Sequence, residues 1–176
     1  MHLSRHTFIA AALALAGSAA LAQGTAYVSS EKDNSLTLID LTTLAVKGTI
    51  ATCKRARHVQ LTPDAKIMVA CTDSNAADII DPATAKSLRR IPLGNEPEAF
   101  DIAPDGKTIY VSNEDEGEMS FIDAATGKTL KTVKVGKEPE GVKVSADGKT
   151  VYVTSEVASM VHVIDSESWQ RIFQLA

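Results

Sequence analysis

From residue 26 onward the chain alternates apolar and polar side chains with a period of two, and nowhere does that period lengthen toward a helical one. The alternating runs are short and separated by Asp, Gly, Pro and Asn, the residues of tight turns, so the pattern predicts β-strands joined by hairpins. Gly141-Val142-Lys143-Val144 reads as one strand and residues 150–154 as the next, with Asp147-Gly148-Lys149 between them. Gly148 supplies the positive φ of a tight hairpin, and Asp147 bonds its own backbone. Residues 160–164 form a third strand that ends at Asp165. A fourth is plainest one period earlier, at residues 129–135, entered through Asp123-Ala124-Ala125-Thr126-Gly127-Lys128.

These strands repeat. Ile-Asp stands at 39–40, 80–81, 122–123 and 164–165, at spacings of 41, 42 and 42. Thirteen residues before each Asp lies Tyr27-Val28, Met68-Val69, Tyr110-Val111 or Tyr152-Val153. The turns Pro63-Asp64, Pro104-Asp105-Gly106-Lys107 and Ala146-Asp147-Gly148-Lys149 keep the same phase. Residues 97–114 and 139–156 share nine identities in eighteen positions. Four antiparallel strands in each repeat of about 42 residues is the signature of a β-propeller blade. The repeat units fall near residues 26–67, 68–109, 110–151 and 152–176. Ala65 replaces the turn glycine of Gly106 and Gly148, and a left-handed Ala costs roughly 1–2 kcal/mol, so this turn is expected to differ from the other two.

Tyr110-Val111-Ser112-Asn113 and Tyr152-Val153-Thr154-Ser155 resemble the YVTN-type β-propeller repeat across nearly all of residues 26–175. Residues 27–35, 96–100 and 155–165 are more specific, and resemble the PQQ-dependent catabolism-associated β-propeller family. That resemblance implies a periplasmic accessory protein found with quinoprotein alcohol dehydrogenases. The quinone cofactor, PQQ, then enters only through a partner enzyme. The Asp123–Lys128 turn resembles that of quinoprotein blades, but their docking Trp falls at Lys131, so direct cofactor binding is not expected.

The repeats supply about 3.7 blades, whereas rings hold about four to eight. Residues 26–30 read as a second strand with no first strand before it, and residues 169–176 begin a fourth strand. The chain therefore reads as an all-β fragment of a seven-bladed ring. Two chains sharing one ring, or a self-contained small propeller, are the alternatives. Open blade edges would make self-association possible.

Ahead of the repeats, Arg5 precedes the apolar run of residues 8–16, and Ala20-Leu21-Ala22 forms a small-x-small cleavage site. Residues 1–22 thus read as a secretory signal peptide, with a periplasmic or secreted product starting at Gln23. The run is too short to span a bilayer, which needs roughly 20 residues. Formal net charge is −4, and the longest basic cluster is Lys54-Arg55-Ala56-Arg57-His58, which argues against a nucleic-acid partner.

In a propeller, the loops entering first strands and those between second and third strands gather around the channel mouth. Here they bring Arg55, Arg57 and His58 from one repeat, then Glu96, Glu98, Glu138 and Glu140 from the next two. Glu31, Thr72, Glu114 and Glu156 join them at aligned positions. Convergent charges at a concave mouth suit a polar ligand or a partner's charged patch; solvated loop charge is the plainer reading. In each Glu-Pro-Glu, proline fixes the backbone and aims the carboxylates alike.

Glu98 with Glu140 could act as acid and base or hold a cation, but spacing reveals no third ligand, so no metal site and no catalytic residue is assigned. His58 is not a repeat residue, and a histidine beside two arginines is most simply solvated. His162 reads as a half-buried core residue. Cys53 and Cys71 are expected toward the mouth face, where a disulfide is possible in an exported protein. A reduced, buried Cys71 or intermolecular pairing are the alternatives.

The leading expectation is a non-enzymatic binding or accessory propeller, partnered by a periplasmic quinoprotein dehydrogenase or cytochrome. A propeller-type hydrolase such as a lactonase, and a surface adhesion module, compete with it.

Overall fold

A computed structural model describes residues 24–175, and the export signal expected at residues 1–22 lies outside them. Fifteen strands make four antiparallel sheets, each built from strands consecutive in sequence. The first sheet holds β1 (Thr25–Ser30), β2 (Ser35–Asp40) and β3 (Val46–Ala51). The second holds β4 (Ala56–Leu61), β5 (Ile67–Cys71), β6 (Ala76–Asp81) and β7 (Lys86–Pro92). The third holds β8 (Pro97–Ile102), β9 (Thr108–Asn113), β10 (Glu118–Asp123) and β11 (Thr129–Lys134). The fourth holds β12 (Pro139–Val144), β13 (Thr150–Ser155), β14 (Met160–Asp165) and β15 (Arg171–Leu175). Among the described residues, no helix is long and apolar enough to cross a membrane. The helical content there is the single 3-10 turn Thr72–Ser74.

The hydrophobic core is divided into three wedges, one between each pair of consecutive sheets. Leu36 and Ile50 meet Ile67, Val69 and Ile80 in the first wedge. Met68 and Ile79 meet Phe100 and Ile109 in the second, and Tyr110 and Phe121 meet Val151 and Ile164 in the third. Sheets with neighbours on both sides lose the alternation of a half-exposed strand: β5 is buried throughout. In the fourth sheet β13 alternates, with Val151, Val153 and Ser155 buried and Tyr152 and Thr154 exposed, because one face is uncovered. Tyr152 there is 42% exposed, and Ile172 and Phe173 on the last strand are 60% and 57% exposed. The outer strands β7 and β11 are almost wholly exposed and carry Lys86, Arg89, Arg90, Lys131 and Lys134, charges that discourage edge pairing. The fold is therefore an arc of β-propeller blades, as the repeat predicts.

Each landmark has a local cause. The Ile of Ile-Asp enters the core, with Ile80, Ile122 and Ile164 fully buried. The Asp accepts hydrogen bonds from backbone N–H groups of the following turn, as from Thr43 to Asp40 (2.9 Å), Thr126 to Asp123 (2.7 Å) and Ser168 to Asp165 (2.7 Å).

The expectation that the Ala65 turn differs is corrected. Ala65 is left-handed at φ 59°, beside 73° and 75° for Gly106 and Gly148. Its N–H donates to Thr62 O (2.9 Å), as Gly106 donates to Ala103 O (2.8 Å) and Gly148 to Ser145 O (2.9 Å). The Thr62 hydroxyl adds bonds to Asp64 (2.6 Å) and from Lys66 N–H (2.9 Å), which hold the turn against the strain of its Cβ.

Candidate functional site

The inner strand of every complete sheet begins irregularly. Pairing with the second strand skips between Ala56 and Val59, between Pro97 and Phe100, and between Pro139 and Val142. Residues 57–58, 98–99 and 140–141 thus stand outside the regular ladder, as bulged residues do where a side chain is re-aimed. Hydroxyls on the facing strands serve two of the freed amides: Ala99 N–H donates to Ser112 Oγ (3.1 Å) and Gly141 N–H to Thr154 Oγ1 (2.8 Å). Ser112 Oγ also donates across the wedge to Glu140 O (3.0 Å), and Ser29 Oγ to Arg57 O (2.5 Å). Neighbouring sheets are therefore stapled together at the residues that carry the charges.

The residue before each bulge pair's proline, or its equivalent, is left-handed: Arg55 at φ 58°, Glu96 at 43° and Glu138 at 52°. Its carbonyl accepts from the loop between second and third strands, Thr72 N–H to Arg55 O (3.0 Å), Glu114 to Glu96 (3.0 Å) and Glu156 to Glu138 (2.8 Å). The two sets of loops lie on one face in each of the three four-stranded blades.

Charge then sorts into two tiers. Above, Arg55 spans Glu31 (3.4 Å), Asp73 (3.6 Å) and Glu96 (3.9 Å). Below, Arg57 reaches Glu98 (2.5 Å), Glu31 (3.6 Å) and Glu140 (3.9 Å). Glu98, Glu114 and Glu140 converge, with one carboxylate oxygen from each within 4.8 Å of the others. The two Glu-Pro-Glu motifs diverge in burial: the Glu98 side chain is 1% exposed and that of Glu140 37%. Burial and the Glu114 carboxyl within hydrogen-bonding reach push Glu98 up to about 7, against the pull of Arg57. Burial also raises Glu140, opposed by Arg57 and supported by Glu114, Glu156 and Glu138. Glu96 is raised by burial and by Asp115. Glu156 is exposed at the rim.

His58 is not a solvated loop residue. It stands on β4, half-buried and edge-on to Phe100 (4.7 Å between centroids), and burial lowers its pKa. His162 is 2% exposed, more deeply buried than expected, and its pKa is likewise lowered by burial. Cys53, in the loop entering β4, and Cys71, at the end of β5, are joined in a disulfide, and it is buried in the first wedge among Leu36, Ile50 and Ile67.

One inner-strand hub escaped the sequence reading. Asp101, 2% exposed, accepts from Val144 N–H (2.8 Å), Ile102 N–H (2.9 Å) and Gln60 Nε2 (3.1 Å), and pairs with Lys143 Nζ (2.9 Å). Gln60, Asp101 and Lys143 hold the same place in successive repeats, and that shared position is the signal that could have found it.

Two solved structures are similar to this chain. Hydrazine synthase of Kuenenia stuttgartiensis is 26% identical with a TM-score of 0.76, over 85% of this chain and 45% of that one. A functionally unknown protein from Desulfotomaculum acetoxidans DSM 771 is 19% identical with a TM-score of 0.65, over 80% and 48%. The chain thus spans less than half the length of either. No family model and no curated protein sequence matches it. Sheet topology and these neighbours together define a β-propeller, a fold that generally suits binding and accessory roles.

Proposed function

We propose that this chain is an exported, non-enzymatic β-propeller whose mouth binds a charged partner, and that the partner belongs to periplasmic PQQ-dependent alcohol oxidation. The observation that carries the binding role is the Arg57, Glu98 and Glu140 constellation, built on bulges of three successive inner strands. The wider rim, with Glu31, Glu96, Glu114, Glu138 and Glu156 around Arg55, has a surplus of carboxylates and suits a lysine-rich docking patch such as that of a cytochrome. The YVTN-like repeat and the stretches at residues 27–35, 96–100 and 155–165 support the link to quinoprotein oxidation.

The test is pull-down of a purified quinoprotein dehydrogenase or its cytochrome by the full-length protein. Capture that falls at high salt and is lost when Glu96 and Glu138 are changed to Lys supports the reading. Lactone hydrolysis abolished by Glu98→Gln would instead make the protein an enzyme.

A further inference from the structure

We propose that Glu98, Glu114 and Glu140 form a site for one hard divalent cation of the calcium or manganese class. The inference rests on the mouth being the binding end of the molecule, and names one ligand held there. One oxygen from each carboxylate lies within 4.8 Å of the other two. Oxygens bound to a common calcium at about 2.3–2.6 Å can stand up to roughly twice that far apart. The three residues come from β8, the loop after β9, and β12, so tertiary structure brings them together.

Glu98 supplies an independent observation. Its side chain is 1% exposed, and neither carboxylate oxygen has a hydrogen-bond partner among the described residues. Arg57 Nη1 pairs with Oε2 at 2.5 Å, and Oε1 receives no hydrogen bond among them. Burying a carboxylate in this condition is costly. Its other neighbour is the Glu114 carboxyl, and two such groups in contact are favourable only around a shared proton or a cation.

The charge balance fits. Three carboxylates face the single Arg57 guanidinium, which Glu31 also approaches, so acidic groups are in excess there. Arg55 is engaged by Glu31, Asp73 and Glu96. Arg57, already 3.6 Å from Glu31, has a second acceptor when an ion takes its place beside Glu98. An all-oxygen donor set selects Ca²⁺ or Mn²⁺ over the softer metals that prefer nitrogen and sulfur. Mg²⁺, with its smaller and stricter octahedron, fits this spacing less well.

The full-length protein, stripped with EDTA, is titrated with MnCl₂ while free Mn²⁺ is followed by electron paramagnetic resonance, and with CaCl₂ by calorimetry. One Mn²⁺ per chain is expected, displaced by Ca²⁺. Glu114→Gln and Glu140→Gln, both at partly exposed positions, should each weaken it about tenfold or more, while Glu167→Gln on a distant turn should not. No binding at millimolar metal, or affinity unchanged in both mouth variants, overturns the site. Partner capture repeated in EDTA separates the two readings. Capture without any Mn²⁺ binding removes the cation site and leaves the mouth reading standing. An intact Mn²⁺ site without capture removes the partner and leaves the ion.

Discussion

Replacing Asp101 by Ala should destabilise the protein by about 3 kcal/mol. The carboxylate holds the buried N–H groups of Val144 and Ile102 at 2.8 and 2.9 Å, and its removal leaves both donors without that acceptor. Each orphaned group costs roughly 1–3 kcal/mol, partly offset because the buried charge disappears as well. Lys143 contributes much less, since its side chain is 75% exposed and water screens the pair. Lys143→Met should therefore cost under about 1 kcal/mol. Urea unfolding at pH 7, monitored by circular dichroism, measures both. Acid adds a second readout. Burial raises Asp101, but the bonds from Val144, Lys143, Gln60 and Ile102 outweigh it and hold its pKa below the ordinary value. Its contribution is thus present above about pH 3.9 and lost as pH falls through the lower folded value, so wild type and Asp101→Ala should converge in acid. A loss under about 1 kcal/mol at pH 7, or a Lys143→Met cost as large as that of Asp101→Ala, would refute the assignment.

Three further outcomes are expected. Ala65→Gly should raise stability by about 0.5–1 kcal/mol, the left-handed strain relieved less the added freedom of the unfolded chain, and a lower urea midpoint would contradict the left-handed turn. Changing Cys53 and Cys71 together to Ala should cost about 3 kcal/mol, since the bridge closes a loop of 18-residue separation; calorimetric melting of the double variant measures it. Glu98 has a folded pKa of about 7, above its ordinary value of 4.5, so the folded state holds that proton more tightly than the unfolded chain. Stability should fall as pH rises from the lower value through the upper one, and Glu98→Gln should flatten that slope. Urea midpoints of both proteins at pH 5 and pH 8 decide it.

Strand positions and the propeller class were legible because period-two alternation and the Ile-Asp and Asp-Gly-Lys landmarks are local and recur in phase. The gathering of Arg55, Arg57 and the glutamates at one end followed from the same phase. Burial did not follow. Glu98 and Glu140 sit in identical Glu-Pro-Glu triplets, yet Glu98 is enclosed between β4 and β12 while Glu140 has no further inner strand beside it. The same cause placed the disulfide in a wedge and set His58 against Phe100, since facing sheets decide what a strand residue meets. Ala65 misled for a different reason. A propensity of roughly 1–2 kcal/mol was outweighed by strand register and the Thr62 hydroxyl, neither of which a single-residue preference contains.

Arg57, Glu98 and Glu140 occupy one structural position on consecutive blades, with a cation on the first and carboxyl groups on the next two. A rotationally repeated scaffold would greet an axial visitor alike from every azimuth; this one has a sideways electric gradient. A dipolar guest entering along the axis would therefore settle in one heading, its negative end toward the second sheet and its positive end toward the fourth. Near-identical repeats can in this way impose a single pose, with the asymmetry written entirely in side chains.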